Sequence, residues 1–137
     1  MKSKIQIKCK SETWDMSDLH PGLRWQFSVN AGTTRSKGLS CGYLQVDPDA
    51  ELPLHFHEEQ EIYMITRGHA ELLTDAANSR AVTAGDTIYI PENSWHGIKN
   101  TSHSLVEFIW IFPTDTWQEV RYIFANETLN KTRGENG

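Results

Sequence analysis

Residues 55–63 read His55-Phe56-His57-Glu58-Glu59-Gln60-Glu61-Ile62-Tyr63. Side chains alternate across an extended strand, so positions i and i+2 share a face. His55 and His57 therefore point one way and Phe56 the other, and Glu61 and Tyr63 have the same parity as the two histidines. Two imidazoles and a carboxylate on one inward face are costly to bury unless they are paired or hold a cation. A third imidazole, His96, follows in Pro91-Glu92-Asn93-Ser94-Trp95-His96, and it has to arrive from another strand folding back on the first. His55, His57, Glu61 and His96 together form a ligand set for one divalent transition metal, and their N/O donors suit Fe, Mn, Ni, Co or Zn. A metal in such a place points to an enzyme rather than to an inert barrel.

On either side of this stretch the chain reads as short strands divided by turn chemistry, an all-β pattern of sandwich or barrel type with little helix. Strands are expected at Ile5–Lys8, Leu23–Val29, Leu39–Val46, Leu52–His57, Glu61–Arg67, Ala70–Thr74, Ala81–Thr83, Thr87–Ile90, Trp95–Lys99 and Val106–Phe112. Asp47-Pro48-Asp49, Arg67-Gly68, Ala84-Gly85-Asp86 and Pro91-Glu92-Asn93 supply turns between them. Ser11–Leu19 is expected to give a turn or two of helix capped by Ser11, and Thr114–Glu119 a short capped turn before a segment over Val120–Phe124. At 137 residues the chain is expected to be one barrel over 21–125. Residues 1–20 form an N-terminal strand and short helix packing on it or on a partner subunit, and 126–137 a polar, flexible tail.

Composition excludes several classes. The formal net charge is −5, against a nucleic-acid partner, which needs clustered Lys and Arg. Lys2, Lys4, Lys8 and Lys10 alternate with Ile5, Ile7 and Cys9, the pattern of one solvated strand face. No apolar run reaches the ~20 residues of a membrane span, and the N-terminus lacks the apolar core of an export signal, so a cytoplasmic protein is expected. Cys9 and Cys41 are read as small buried apolar residues rather than a disulfide. His20, His69 and His103 are read as surface or loop residues, and Glu58 and Glu59 as solvated turn residues.

Two spaced motifs carry a family resemblance. His55-x-His57, three residues, Glu61, six residues, Gly68 is similar to the first cupin motif. Gly85, five residues, Pro91, His96 and Asn100 are similar to the second. Two glycines of the pattern are replaced, one by Asp49 and one by Asn93; both residue types tolerate left-handed turn conformations better than most. The resemblance implies a single cupin barrel, a jelly roll of the double-stranded β-helix type, and a homodimer formed through an exchanged N-terminal strand or sheet face. A narrower likeness lies in Pro21–Phe27, Gly38-Leu39-Ser40, Glu61-Ile62-Tyr63 and Trp110–Asp115, which resemble the small cupin-type dimethylsulfoniopropionate lyases over about Pro21 to Phe124.

That likeness implies a small carboxylate zwitterion as substrate, a metal held by His55, His57, Glu61 and His96, and Tyr63 as the catalytic base that removes the proton next to the carboxylate. The sulfonium end calls for aromatic faces, since cation–π contacts are worth about 0.5–2 kcal/mol each. Trp25 and Tyr122 are the first candidates for substrate binding, with Phe27 and Trp95 after them. The alternatives are another metal-dependent cupin enzyme, a dioxygenase or an isomerase, or a cupin that binds a small molecule without turning it over.

Overall fold

The computed structural model describes residues 4–126, and within them eleven strands form two antiparallel sheets packed as a jelly roll. The strands are β1 (Asp15–Met16), β2 (Leu23–Val29), β3 (Ser40–Val46), β4 (Glu51–Phe56), β5 (Glu61–Arg67), β6 (His69–Leu73), β7 (Arg80–Thr83), β8 (Thr87–Ile90), β9 (His96–Lys99), β10 (Val106–Phe112) and β11 (Ile123–Phe124). One sheet runs β1-β2-β3-β10-β5-β8 and the other β11-β4-β9-β6-β7. Among the described residues the helical elements are α1 (Ala31–Thr34), a 3-10 turn at Trp117–Glu119 and the two helical residues Ala125 and Asn126. The all-β jelly-roll architecture with little helix is therefore as the sequence implies.

Alternation places the core. Val106, Phe108, Trp110 and Phe112 of β10 face inward, with Val46, Ile65 and Ile98 against them, all buried. The outward side chain of Glu107 is buried too, because Lys10 closes over it with an ion pair of 2.7 Å. Burial alone would raise the Glu107 carboxyl, but hydrogen bonds from Lys10, Gln45 and Thr66 outweigh it and hold the group below the ordinary carboxylate range.

The N-terminal expectations need correction. Ile5–Lys8 is not a strand and Ser11–Leu19 is not a helix. This segment is held by bonds that involve side chains and not by a strand ladder: Gln6 Nε2 donates to the Thr34 carbonyl, and the Ser11 N–H to Gln26 Oε1. Ser11 does accept a bond from the Thr13 N–H, but the chain then leaves to pair β1 with β2 at Asp15↔Trp25. Ile5 and Ile7 are 98% and 86% exposed. Cys9 is exposed and Cys41 only half-buried, so neither is a core residue; both are free thiols. The expected segment at Val120–Phe124 shrinks to β11. Lys2, and all but Asn126 of the tail expected over 126–137, lie outside the described residues. No helix among the described residues is long and apolar enough to cross a membrane.

The two replaced glycines behave as turn residues. Asp49 has φ 67° and Asn93 φ 58°, in the left-handed region where Asp and Asn are the usual substitutes for glycine. Asn100, fully buried, ties the first turn to the barrel: its amide donates to the carbonyls of Val46 and Ser104, and its backbone exchanges bonds with Asp49 and Ala50.

Candidate metal centre

The histidines converge because β4 is irregular. Leu52 pairs with Ile98 and His55 with His96, and the register shifts between them at Pro53-Leu54. A β-bulge of this kind re-aims the following side chains, so Leu52 and His55 both turn inward. β9 passes close to the bulge at Gly97. A Cβ there would lie 2.6 Å from the Leu52 carbonyl oxygen and 3.1 Å from the Leu54 nitrogen. Gly97→Ala is expected to push the two strands apart, lower stability by about 1–3 kcal/mol and loosen metal binding. Thermal unfolding with and without metal checks both effects.

The same bulge supplies an oxygen that orients His55. Its Nδ1 lies 2.7 Å from the Pro53 carbonyl, His57 Nδ1 lies 2.9 Å from the Glu59 carbonyl, and His96 Nδ1 lies 2.7 Å from the Ser94 carbonyl. A carbonyl only accepts, so each Nδ1 carries the proton and each Nε2 presents a lone pair. One further bond, Asn93 N–H to the His57 carbonyl at 2.9 Å, locks the turn before His96 against the end of β4.

The ligand atoms of His55, His57 and His96 lie within 4.8 Å of one another. Glu61 Oε1 sits 3.1 Å from His57 Nε2 and 3.2 Å from His96 Nε2. All four residues are at most 2% exposed, and His55 Nε2 is buried with no hydrogen-bond partner. Three nitrogen lone pairs and a carboxylate oxygen facing one point repel each other unless a cation lies between them. The residues fit a divalent metal. Their joint inward orientation is the arrangement expected from the sequence.

Burial, then the neighbouring His96, lowers the His55 imidazole to about 3. Folded His55 therefore stays neutral over a range where the unfolded chain, with an ordinary value near 6.5, takes up a proton. The metal-free protein is expected to lose stability as pH falls from about 6.5 toward 3, by at most ~1.4 kcal/mol per unit from this group. Urea midpoints of chelator-treated protein across that range, compared with His55→Gln, check the sign: the variant should show the shallower slope.

A cavity of about 400 Å³ opens beside the cluster, within the ~300–1,000 Å³ of small-molecule sites. Glu61 and Tyr63 face it, Trp25, Trp110, Trp117, Tyr122 and Phe124 form much of its wall, and Met16 at the end of β1 with the loop from Ser17 to His20 lines it from the side of β2. Among the described residues, no Lys or Arg lines it. Tyr63 lies with its ring centroid 5.7 Å from that of His96. Tyr122 stacks on His55 at 4.9 Å and 28°.

Two other sequence candidates are placed elsewhere. Phe27 sits behind the wall, against Trp110 at 5.9 Å and Trp117 at 5.7 Å, and is not among the lining residues. Trp95 packs edge-on against Phe56 at 4.6 Å and borders a separate hollow with Leu72 and Tyr89. It follows Phe56 to the outer face because the residue before an inward histidine points outward.

Other residues were missed by sequence reasoning. His20, read as a surface residue, lines the cavity, packs 4.9 Å from Phe124 and contributes to lowering His55. Glu59, read as solvated, has its Oε1 buried without a partner. His69, His103 and Glu58 are exposed as expected. Trp117 was legible only as part of a capped turn, since which way a single turn aims its side chains depends on what it packs against.

The family model described as "Cupin domain" matches residues 42–112, which contain all four converging residues. No curated protein matches the chain. Among solved structures it is similar to the polyketide cyclase RemF from Streptomyces resistomycificus, at 18% identity and TM-score 0.75, covering 94% of each chain. It is similar to a predicted oxalate decarboxylase from Thermotoga maritima, at 21% identity and TM-score 0.70, over 80% of this chain and 99% of that one. It is also similar to the DMSP lyase DddQ from Ruegeria pomeroyi, at 18% identity and TM-score 0.68, covering 82% of this chain and 60% of that one. At these identities the likenesses show the fold.

Proposed function

This chain belongs to the cupin domain family, and within that family we propose that it is a metal-dependent carbon–sulfur lyase cleaving dimethylsulfoniopropionate to dimethyl sulfide and acrylate. One observation carries the reading. A single cavity joins the Glu61 end of the ligand cluster, the Tyr63 phenol and an aromatic wall, and among the described residues no Lys or Arg lines it. A phosphorylated sugar or a dicarboxylate calls for Arg or Lys beyond the metal. A small monocarboxylate with a soft cationic head does not, and the likeness to a DMSP lyase supports the same substrate class.

His55, His57, Glu61 and His96 would hold the metal, which when bound supplies Lewis-acid stabilisation of negative charge developing on the substrate carboxylate. Trp25 and Tyr122 offer aromatic faces to the sulfonium. The Tyr63 oxygen takes the hydrogen next to the carboxylate as a proton, the C–H electron pair becomes the new double bond, and the C–S bond breaks with both electrons leaving on sulfur. Burial, then the Glu61 carboxylate and Tyr122, push the Tyr63 phenol well above its ordinary value. Its use as a base therefore depends on a cation beside it.

The test is headspace dimethyl sulfide from protein reconstituted separately with Fe, Mn, Ni, Co or Zn, with and without oxygen. Gas well above the metal-only control, undiminished in the absence of oxygen, supports the lyase and excludes an oxygenase. Gas at the control level with every metal overturns the reading. The exposed Ile5 and Ile7 support pairing of two copies through the N-terminal arm, which sedimentation velocity checks.

A further inference from the structure

The indole of Trp117 takes part in no step described above, yet its Nε1 lies 3.0 Å from the Tyr122 hydroxyl oxygen. An indole N–H only donates, so the phenol oxygen is the acceptor and its own proton is left to point elsewhere. Neighbouring rings hold Tyr122 in place. Its ring packs near-parallel to His55 at 4.9 Å and to Phe124 at 5.9 Å, which touch each other at 5.1 Å, and His57 meets it edge-on at 5.2 Å. No acceptor among the described residues takes the Tyr122 proton, and the residue lines the cavity. Trp117 is itself pinned from a distant part of the chain. Its backbone N–H donates to Asn30 Oδ1 at 2.8 Å, Asn30 is buried, and the Thr116 N–H donates to Glu119 Oε1 at 2.8 Å to close the turn.

We propose that Trp117 is a positioning residue that orients the Tyr122 hydroxyl as a hydrogen-bond donor into the cavity, toward a carboxylate oxygen of the ligand. This rests on the carboxylate reading of the site given above. It gives Tyr122 a polar role at the metal end of the cavity in addition to its aromatic face. It also gives the two cavity-lining phenols different roles. The Tyr63 hydroxyl makes no hydrogen bond among the described residues and is free to accept, whereas that of Tyr122 has its acceptor side filled and donates.

The test is a double-mutant cycle on metal-loaded protein, Trp117→Phe, Tyr122→Phe and the pair, with acrylate binding read by calorimetry beside metal content and melting temperature. Hydrogen bonds to charged groups put the expected loss of acrylate affinity at about 10-fold for Tyr122→Phe and somewhat less for Trp117→Phe. The pair should bind no more weakly than Tyr122→Phe alone, because the indole acts only through the phenol. The Trp117 indole N–H resonance should also shift in Tyr122→Phe protein without any ligand. Wild-type affinity in Trp117→Phe, or losses that add in the double variant, overturns the proposal while leaving the lyase reading intact. Wild-type protein that neither binds acrylate nor releases dimethyl sulfide overturns both.

Discussion

His96→Ala protein is expected to purify without its metal and to show no turnover above the metal-only control. His96 is the one member of the cluster supplied by β9, and it closes the cluster against both His55 and Glu61, with ring centroids 4.2 Å apart for the two histidines. Removing it leaves two imidazoles and a carboxylate from β4, β5 and the turn between them with no donor opposite. Loss of an outer partner of a metal ligand typically costs about 10–100-fold in affinity, so loss of the ligand itself should cost about 100-fold or more. Elemental analysis and a competition titration with a chromophoric chelator measure it. The fold should survive, because His96 is followed in β9 by Gly97 and the fully buried Ile98, which keep their strand pairing. A variant that retains stoichiometric metal would show that the nitrogen lone pairs do not converge on an ion.

Tyr63→Phe separates metal binding from chemistry. The ring packs between His96 and Phe108, at 5.7 and 4.4 Å, and phenylalanine fills the same space. Metal content and melting temperature should stay close to wild type. Turnover should fall by about 10²–10⁴-fold, the usual contribution of a positioned general base, with the larger change in kcat than in KM. Near-full activity in this variant would assign proton removal to another group. Tyr122→Phe is the informative companion: a donor to the ligand should show its loss in binding, and a base should show it in kcat.

Much of the site was legible in the sequence because its determinants are local. The i, i+2 spacing of His55 and His57, and separately that of Glu61 and Tyr63 on β5, follow from strand geometry; a turn over 58–60 lies between the two pairs. The turn positions Asp49 and Asn93 were also readable, since only a few residue types adopt positive φ at low cost. Strands with strict alternation between clear turns, such as β5 and β10, fall at the expected bounds. The N-terminal segment did not follow the same rule. Ile5 and Ile7 alternate like a strand, but a strand needs a neighbouring backbone to pair with. The arm is tied instead by isolated bonds to the Thr34 carbonyl and to the side chains of Gln26 and Glu107.

Strand periodicity, turn chemistry and the identity of the four converging residues were thus legible in the chain, the first two because neighbours within a few residues set them. Which aromatics line the cavity and which lie behind it was settled only in three dimensions. Trp25, Trp117 and His20 reach the cavity and Trp95 does not. That outcome depends on a bulge opposite Gly97, on Asn30 gripping a turn far along the chain, and on which loop folds over the open end. Contacts between segments distant in sequence leave no period for a linear reading to detect.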